Sequence, residues 1–119
     1  MAGKNIRRSK EVDALGTVTP DKAFYFYREV GQPLGATAKS LGEFAAIVNA
    51  IDPYSIRFHV ERKDFESWFW MLGDKSLAGQ IAGLRGKNTS PDELRGKVSS
   101  MVKTRVDQLG KIAGSKGRR

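Results

Sequence analysis

Cysteine is absent from the 119 residues of this chain, and histidine occurs once, as His59. The missing thiols exclude disulfides, thiolate metal sites and cysteine nucleophiles, and are typical of a reducing compartment. No apolar run approaches the roughly 20 residues that a membrane-spanning helix needs. The basic start, MAGKNIRRSKEV, has no apolar segment behind it, so we expect no secretory signal. These absences predict a cytoplasmic protein without a membrane partner.

A complete set of catalytic residues is also missing. The sequence has no G-x-S-x-G motif and no Gly-rich phosphate loop. Its one candidate cluster is FHVERKDFESWFW, which contains His59, Glu61, Asp64 and Glu66. A metal site needs three or four converging ligands, and only His59 and Glu61 would share a strand face. Glu61 could orient His59 as a general base, but no second catalytic group accompanies them. We predict no enzyme activity, metal or cofactor.

Positive charge is in excess and is concentrated at the ends of the chain. The net charge is +8, from 21 basic and 13 acidic residues. Residues 22–85 carry eight basic and seven acidic side chains, whereas residues 86–119 carry nine basic and three acidic, a net of +6. The first ten residues add four basic side chains and no acidic one. Basic ends around a neutral body favour a polyanionic partner. Basic tails can also serve only to keep a protein soluble.

The first half of the chain predicts a hairpin followed by a helix. Residues 22–30 are aromatic-rich and predict a strand, with Phe24 and Phe26 on one face and the two intervening tyrosines on the other. Gly and Pro in residues 31–35 predict a turn, and residues 36–38 a short returning strand. Ser40 and Glu43 have the spacing of a capping box, and Asp52-Pro53 ends the helix that they begin.

The stretch around His59 predicts a strand that leads into a helix. Residues 55–60, SIRFHV, alternate between apolar and polar side chains, which predicts a second strand with His59 partly exposed and paired across the sheet. Asp64 is then the predicted N-cap of a helix that ends at Gly73. Its buried stripe comprises Phe65, Trp68, Phe69 and Leu72. Trp70 lies on the opposite side, and we expect a second small cluster to cover it; exposure would instead suit stacking on a base or a protein contact.

Two more helices are predicted in the second half. Asp74 can cap a helix with Leu77, Ile81 and Leu84 on its apolar face, ending at Gly86. SPDEL, residues 90–94, has the N-cap, first-turn proline and acidic residues of a helix start. The apolar seam of this last helix comprises Leu94, Val98, Met101, Val102, Arg105, Leu109 and Ile112, and its polar side carries Arg95, Lys97, Lys103 and Lys111.

These elements predict an α+β fold, in which helices pack on a small antiparallel sheet and a long basic C-terminal helix follows. The predicted segments are a basic N-terminal extension at 1–21, the α+β core at 22–86, the basic helix at 87–112 and a basic tail at 113–119.

Three stretches carry a resemblance to a known family. They are the strand FYFY, the passage GATAKSLGEF, and the run SIRFHVERKDFESW followed by LGDKSLAGQI. Together they make residues 23–85 similar to a small domain of unknown function found mostly in archaea. The resemblance implies a domain boundary and an archaeal origin, and it implies no catalytic residue. The basic ends lie outside it and look like additions of this protein.

Charge and organisation together predict a non-catalytic protein that binds structured RNA. A small domain with basic extensions is typical of ribosomal proteins, whose extensions neutralise rRNA phosphates, and neighbouring ribosomal proteins would be further partners. The predicted phosphate contacts are Lys4, Arg7, Arg8, Lys10, Arg95, Lys97, Lys103, Lys111, Lys116, Arg118 and Arg119, with Trp70 as an aromatic contact. The alternatives are a DNA-binding chromosomal protein, or an interaction module that uses the seam of the last helix.

Overall fold

The described part of the chain folds into a two-stranded antiparallel sheet and five α-helices. The computed structural model describes residues 16–117, with side chains through residue 111. A 3-10 turn at Pro20–Lys22 precedes the strands β1 (Phe24–Glu29) and β2 (Gln32–Ala38). The helices are α1 (Leu41–Val48), α2 (Pro53–Glu61), α3 (Asp64–Leu72), α4 (Lys75–Ala82) and α5 (Pro91–Gly117). The predicted α+β class with a long C-terminal helix is confirmed.

The hairpin is tighter than the sequence predicts. Its turn is Val30-Gly31, and Gly31 has a φ of 77°, a left-handed conformation that glycine adopts without strain. β2 therefore begins at Gln32 and includes most of the predicted turn. Phe24 and Phe26 are buried as expected, and Phe24 pairs with Ala38 in the register of the sheet.

The helix that follows the hairpin begins at the predicted N-cap, Ser40, but Glu43 reaches back to the residue before the N-cap and not to Ser40 itself. The Ser40 hydroxyl accepts the Glu43 N–H at 3.1 Å, and the Glu43 carboxylate accepts the Lys39 N–H at 2.8 Å. Two backbone donors without helical partners are satisfied in this way. Helix α1 buries Leu41, Phe44 and Val48.

The predicted second strand at residues 55–60 is wrong, because this stretch lies in helix α2. Helix α1 ends at Val48, before the predicted end at Asp52-Pro53, and these two residues start α2 instead. The Asp52 carboxylate accepts the Tyr54 N–H at 2.9 Å, and Pro53 occupies the first turn. Ile56 and Val60 share a face in a helix and also in a strand, so their spacing does not distinguish between a helix and a strand. Helical periodicity adds Ser55 and His59 to the buried face.

A sharp corner joins α2 to α3. Lys63 has a φ of 72° and is the N-cap residue, so the prediction that Asp64 caps this helix is wrong. Asp64 opens the first turn, and its carboxylate is directed toward α2. The end of α3 at Gly73 is confirmed, with a φ of 95° there.

Asp74 caps α4 as predicted, and it also connects α4 to α5. Its carboxylate accepts the Leu77 N–H at 3.1 Å and pairs with the Arg105 guanidinium at 2.7 Å. Helix α4 ends at Ala82, four residues before the predicted end at Gly86.

The apolar seam of α5 packs against the protein's own core. Leu94, Val98, Val102 and Leu109 are buried, and α5 contacts α1, α2 and α4. Ser90 starts the helix as predicted, since its hydroxyl accepts the Glu93 N–H at 3.2 Å. The long basic helix is therefore an integral layer of the fold, with its polar side turned outward.

Candidate functional site

His59 lies at the centre of the described fold, not on an exposed strand. The side chain is 3% exposed, which contradicts the predicted partial exposure. Its Nε2 accepts the backbone N–H of Tyr27 at 2.9 Å, and its Nδ1 lies 2.8 Å from Asp64 Oδ2. The imidazole therefore ties β1 to the corner between α2 and α3.

The two hydrogen bonds define the protonation state of His59. Because Tyr27 donates to Nε2, that nitrogen carries no proton, and Nδ1 must donate to Asp64. Burial lowers the pKa of His59 below 6.5, and the Asp64 carboxylate opposes this shift only in part. Both ring nitrogens are occupied in the neutral imidazole. This arrangement suits a structural histidine and leaves no free nitrogen for a general base.

Glu61 and Glu66, the other acidic residues of the candidate cluster besides Asp64, have partners other than His59. Glu61 is exposed and accepts the Gly86 N–H at 3.2 Å. Glu66 pairs with Arg85 at 2.5 Å. Within residues 16–111, no three His, Asp or Glu side chains are placed to hold a metal ion. The pairing of Glu61 with His59 considered from the sequence depended on the strand and does not occur.

Aromatic rings enclose His59 on several sides. The ring centroids of Phe24 and Phe65 lie 4.8 Å and 5.3 Å from the imidazole, and Phe26 lies at 6.1 Å. Trp68 is 7% exposed, as the stripe predicts, and its indole N–H donates to the Lys22 carbonyl at 2.8 Å. These contacts place a rigid aromatic layer beneath the surface.

An open groove of about 640 Å³ lies above this aromatic layer, between β1 and helices α2 and α3. One stripe of α3 forms a wall, because Asp64, Ser67, Trp68 and Met71 follow helical spacing and all line the groove. Tyr25, Tyr27, Val30 and Phe58 complete the apolar lining. A groove of this size and composition is typical of a ligand site.

Charged side chains lie around this groove in nearly balanced numbers. Arg62 pairs with Asp64 at 3.2 Å, and its guanidinium lies 4.9 Å from the centroid of the Phe58 ring. Asp21 and Lys22 contribute one charge of each sign. The hydroxyl of Thr19 donates to Asp21 and lowers the pKa of that carboxyl, so Asp21 is ionised at neutral pH.

The predicted nucleic-acid contacts on α5 divide into two groups. Lys97, Lys103 and Lys111 are exposed on the side away from the buried seam. Arg95 is half-buried, and its guanidinium donates to the Ile51 carbonyl at 2.7 Å, which fastens α5 to the end of α1. The other predicted contacts lie outside residues 16–111, for which the structure describes side chains. They are Lys4, Arg7, Arg8, Lys10, Lys116, Arg118 and Arg119.

Trp70 is 55% exposed, so the expected burial in a second small cluster is wrong. The Lys75 ammonium lies 4.9 Å from the centroid of its ring. Trp70 lies beside the stripe of α3 that forms the groove wall and does not line the groove. It remains accessible for the aromatic contact considered from the sequence.

The groove between β1 and helices α2 and α3 is not among the features predicted from the sequence. The helical spacing of Asp64, Ser67 and Met71 beside the buried stripe of α3 could have indicated a second, surface-facing stripe. The other wall could not be found, because the assignment of residues 55–60 to a strand misplaced Phe58 and His59.

The geometry defines a small helical α+β domain with a basic outer helix and a neutral aromatic groove. Residues 6–103 match the family model described as "Family of unknown function (DUF5752)", and the chain belongs to this family. The match extends beyond residues 23–85 in both directions and takes in about the first three and a half turns of α5. Arg7, Arg8, Lys10, Lys97 and Lys103 lie inside the match, so the prediction that the basic ends are additions outside the family's domain is not confirmed. Comparisons with curated proteins and with solved structures find no match. Among residues 16–117, no helix combines the length and apolar character of a membrane span.

Proposed function

We propose that this protein binds structured RNA without catalysing a reaction. It acts as a component or partner of the ribosome in the cytoplasm, where rRNA and neighbouring ribosomal proteins surround it. The observation that supports this proposal most strongly is the orientation of α5. Its apolar seam is buried, so Lys97, Lys103 and Lys111 are exposed together on the outer side. From the resemblance across residues 23–85 we also infer an archaeal origin.

The charge pattern supports a phosphate ligand for this outer side. Four of the basic residues in the described part are paired with carboxylates, namely Arg28, Arg62, Arg85 and Arg105. No ion pair within residues 16–111 involves the three outer lysines of α5. Lysines in this setting can neutralise phosphates, and the resulting release of counterions gives nucleic-acid binding its dependence on salt.

The packing of α5 bears on one of the two alternatives and leaves the other to experiment. An interaction module that pairs through the α5 seam requires an apolar face that is free, whereas this seam packs on α1 and α2. A DNA-binding chromosomal protein would use the same outer lysines. Competition between an RNA hairpin and a DNA duplex of equal length distinguishes these two ligands.

Charge reversal on α5 tests the proposal. The double variant Lys97→Glu, Lys103→Glu should bind an rRNA hairpin more weakly, and the plot of log affinity against log salt should lose about 0.7–0.9 units of slope per phosphate contact. The matched control is Lys39→Glu, Lys87→Glu, which changes the net charge equally at two exposed lysines off the helix. Equal weakening in both double variants would show an effect of net charge alone and would contradict a binding face on α5.

A further inference from the structure

The groove between β1 and α3 concentrates exposed apolar surface. Of the six large hydrophobic side chains exposed in the described part, Tyr25, Val30 and Met71 all line this groove, with exposures of 47%, 76% and 45%. A contiguous exposed apolar patch marks a binding site more often than scattered apolar residues do. The aromatic layer that contains Trp68 forms a rigid floor beneath it.

The α3 wall of the groove is polar at one end and apolar at the other. Asp64 binds both His59 and Arg62 through Oδ2, and none of these contacts uses Oδ1. Ser67 is exposed one turn further along, and Met71 follows after another turn. A planar ring lying on the apolar end could present hydrogen-bonding groups to Asp64 and Ser67.

The charges that line the groove cancel, which favours an uncharged ring as the ligand. Asp21, Lys22, Arg62 and Asp64 balance one another, so the lining carries no net charge for an ionic ligand. Lys63 is exposed at the corner beside Arg62 and adds one positive charge outside the lining. A nucleotide has the complementary pattern, since its base is neutral and flat and its phosphate is anionic and lies outside the stack.

We propose that this groove binds one unpaired base of the RNA, stacked on the aromatic lining with its polar edge toward Asp64 and Ser67. Proteins that bind single-stranded RNA commonly stack unpaired bases on aromatic side chains and form hydrogen bonds with the edges of those bases. The inference rests on the proposed RNA binding and adds a second contact, distinct from the lysines of α5.

A single-tryptophan protein reports occupancy of the groove directly. Trp70→Phe in the full chain leaves Trp68, which lines the groove, as the only indole. The probes are an RNA hairpin with a seven-nucleotide loop, a blunt RNA duplex of equal charge, and each free nucleoside monophosphate. The hairpin should quench Trp68 emission, whereas the duplex should bind with little quenching.

A matched pair of variants tests whether the groove provides affinity. Ser67→Phe fills the groove without changing charge, and Ser76→Phe places the same ring on the exposed side of α4. Ser67→Phe should weaken hairpin binding by about 5- to 150-fold, the range expected for one stacked base, with an unchanged salt slope. Ser76→Phe should bind like the parent protein.

The outcomes separate the two proposals. If the hairpin binds with a steep salt slope but Trp68 does not respond and both phenylalanine variants bind alike, the groove proposal is wrong while RNA binding stands. If neither hairpin nor duplex binds, RNA binding itself fails and the groove proposal fails with it. If a free nucleotide quenches Trp68 at the same concentration as the hairpin, the groove is a site for free nucleotides and the proposal is overturned.

Discussion

Replacing His59 by alanine should destabilise the fold by about 3–5 kcal/mol. The first contribution is the Tyr27 N–H, which loses its acceptor at 2.9 Å and costs about 1–3 kcal/mol if it stays buried and unpaired. The second is the cavity left among Phe24, Phe26 and Phe65, for which large-to-small core changes indicate about 2 kcal/mol or more. Asp64 contributes little, since it keeps Arg62 as a partner and is 28% exposed.

Urea unfolding followed by far-ultraviolet circular dichroism measures this loss. His59→Gln should cost less than the alanine change, because its side-chain oxygen can accept the Tyr27 N–H. Tyr54→Ala removes a larger but 54% exposed side chain from the same helix, and it should cost only about 0.5–1 kcal/mol for its cation–π contact with Arg28. Equal destabilisation by His59→Ala and Tyr54→Ala would refute the structural role assigned to the histidine.

Further outcomes follow from the same contacts. Because burial lowers the pKa of His59, the imidazole of the unfolded chain takes up a proton at a higher pH than that of the folded chain. The free energy of unfolding should therefore fall as pH drops below 6.5. Urea titrations of His59→Gln should lack this component of the pH dependence. Trp68→Ala should cost about 3–5 kcal/mol in thermal or urea unfolding, and a loss below 1 kcal/mol would contradict its burial. Asp74→Ala removes a buried helix cap and the carboxylate that pairs with Arg105, so it should lower the free energy of unfolding by about 3–5 kcal/mol. Asp52 is a more exposed helix cap, and Asp52→Ala should lower it by only about 1 kcal/mol.

Local features of the sequence predicted much of the fold. Ser40, Asp74 and Ser90 each have a hydroxyl or carboxylate in position to accept a backbone N–H three residues later, and all three do so. The aromatic alternation of β1 and the apolar seam of α5 also predicted which faces are buried. These features act within one or two turns of chain, so the sequence displays them directly.

The failures arise where tertiary packing selects between two local structures. SIRFHV alternates over only six residues, and Ile56 and Val60 share a face in a helix as well as in a strand. Pro53 indicates the end of the helix before it, but proline is also common in the first turn of a helix. The strand assignment displaced His59 to the surface and hid both its contact with Tyr27 and the aromatic groove.

The most direct test of RNA binding is sedimentation of a native cell extract through a sucrose gradient, with this protein detected by immunoblotting in each fraction. We expect co-sedimentation with ribosomal subunits or another large RNA particle, and a shift to the top of the gradient after ribonuclease treatment. Lys97→Glu, Lys103→Glu should shift the protein to the top without ribonuclease. Parent protein found only at the top of the gradient at low salt, before and after ribonuclease, would contradict the account.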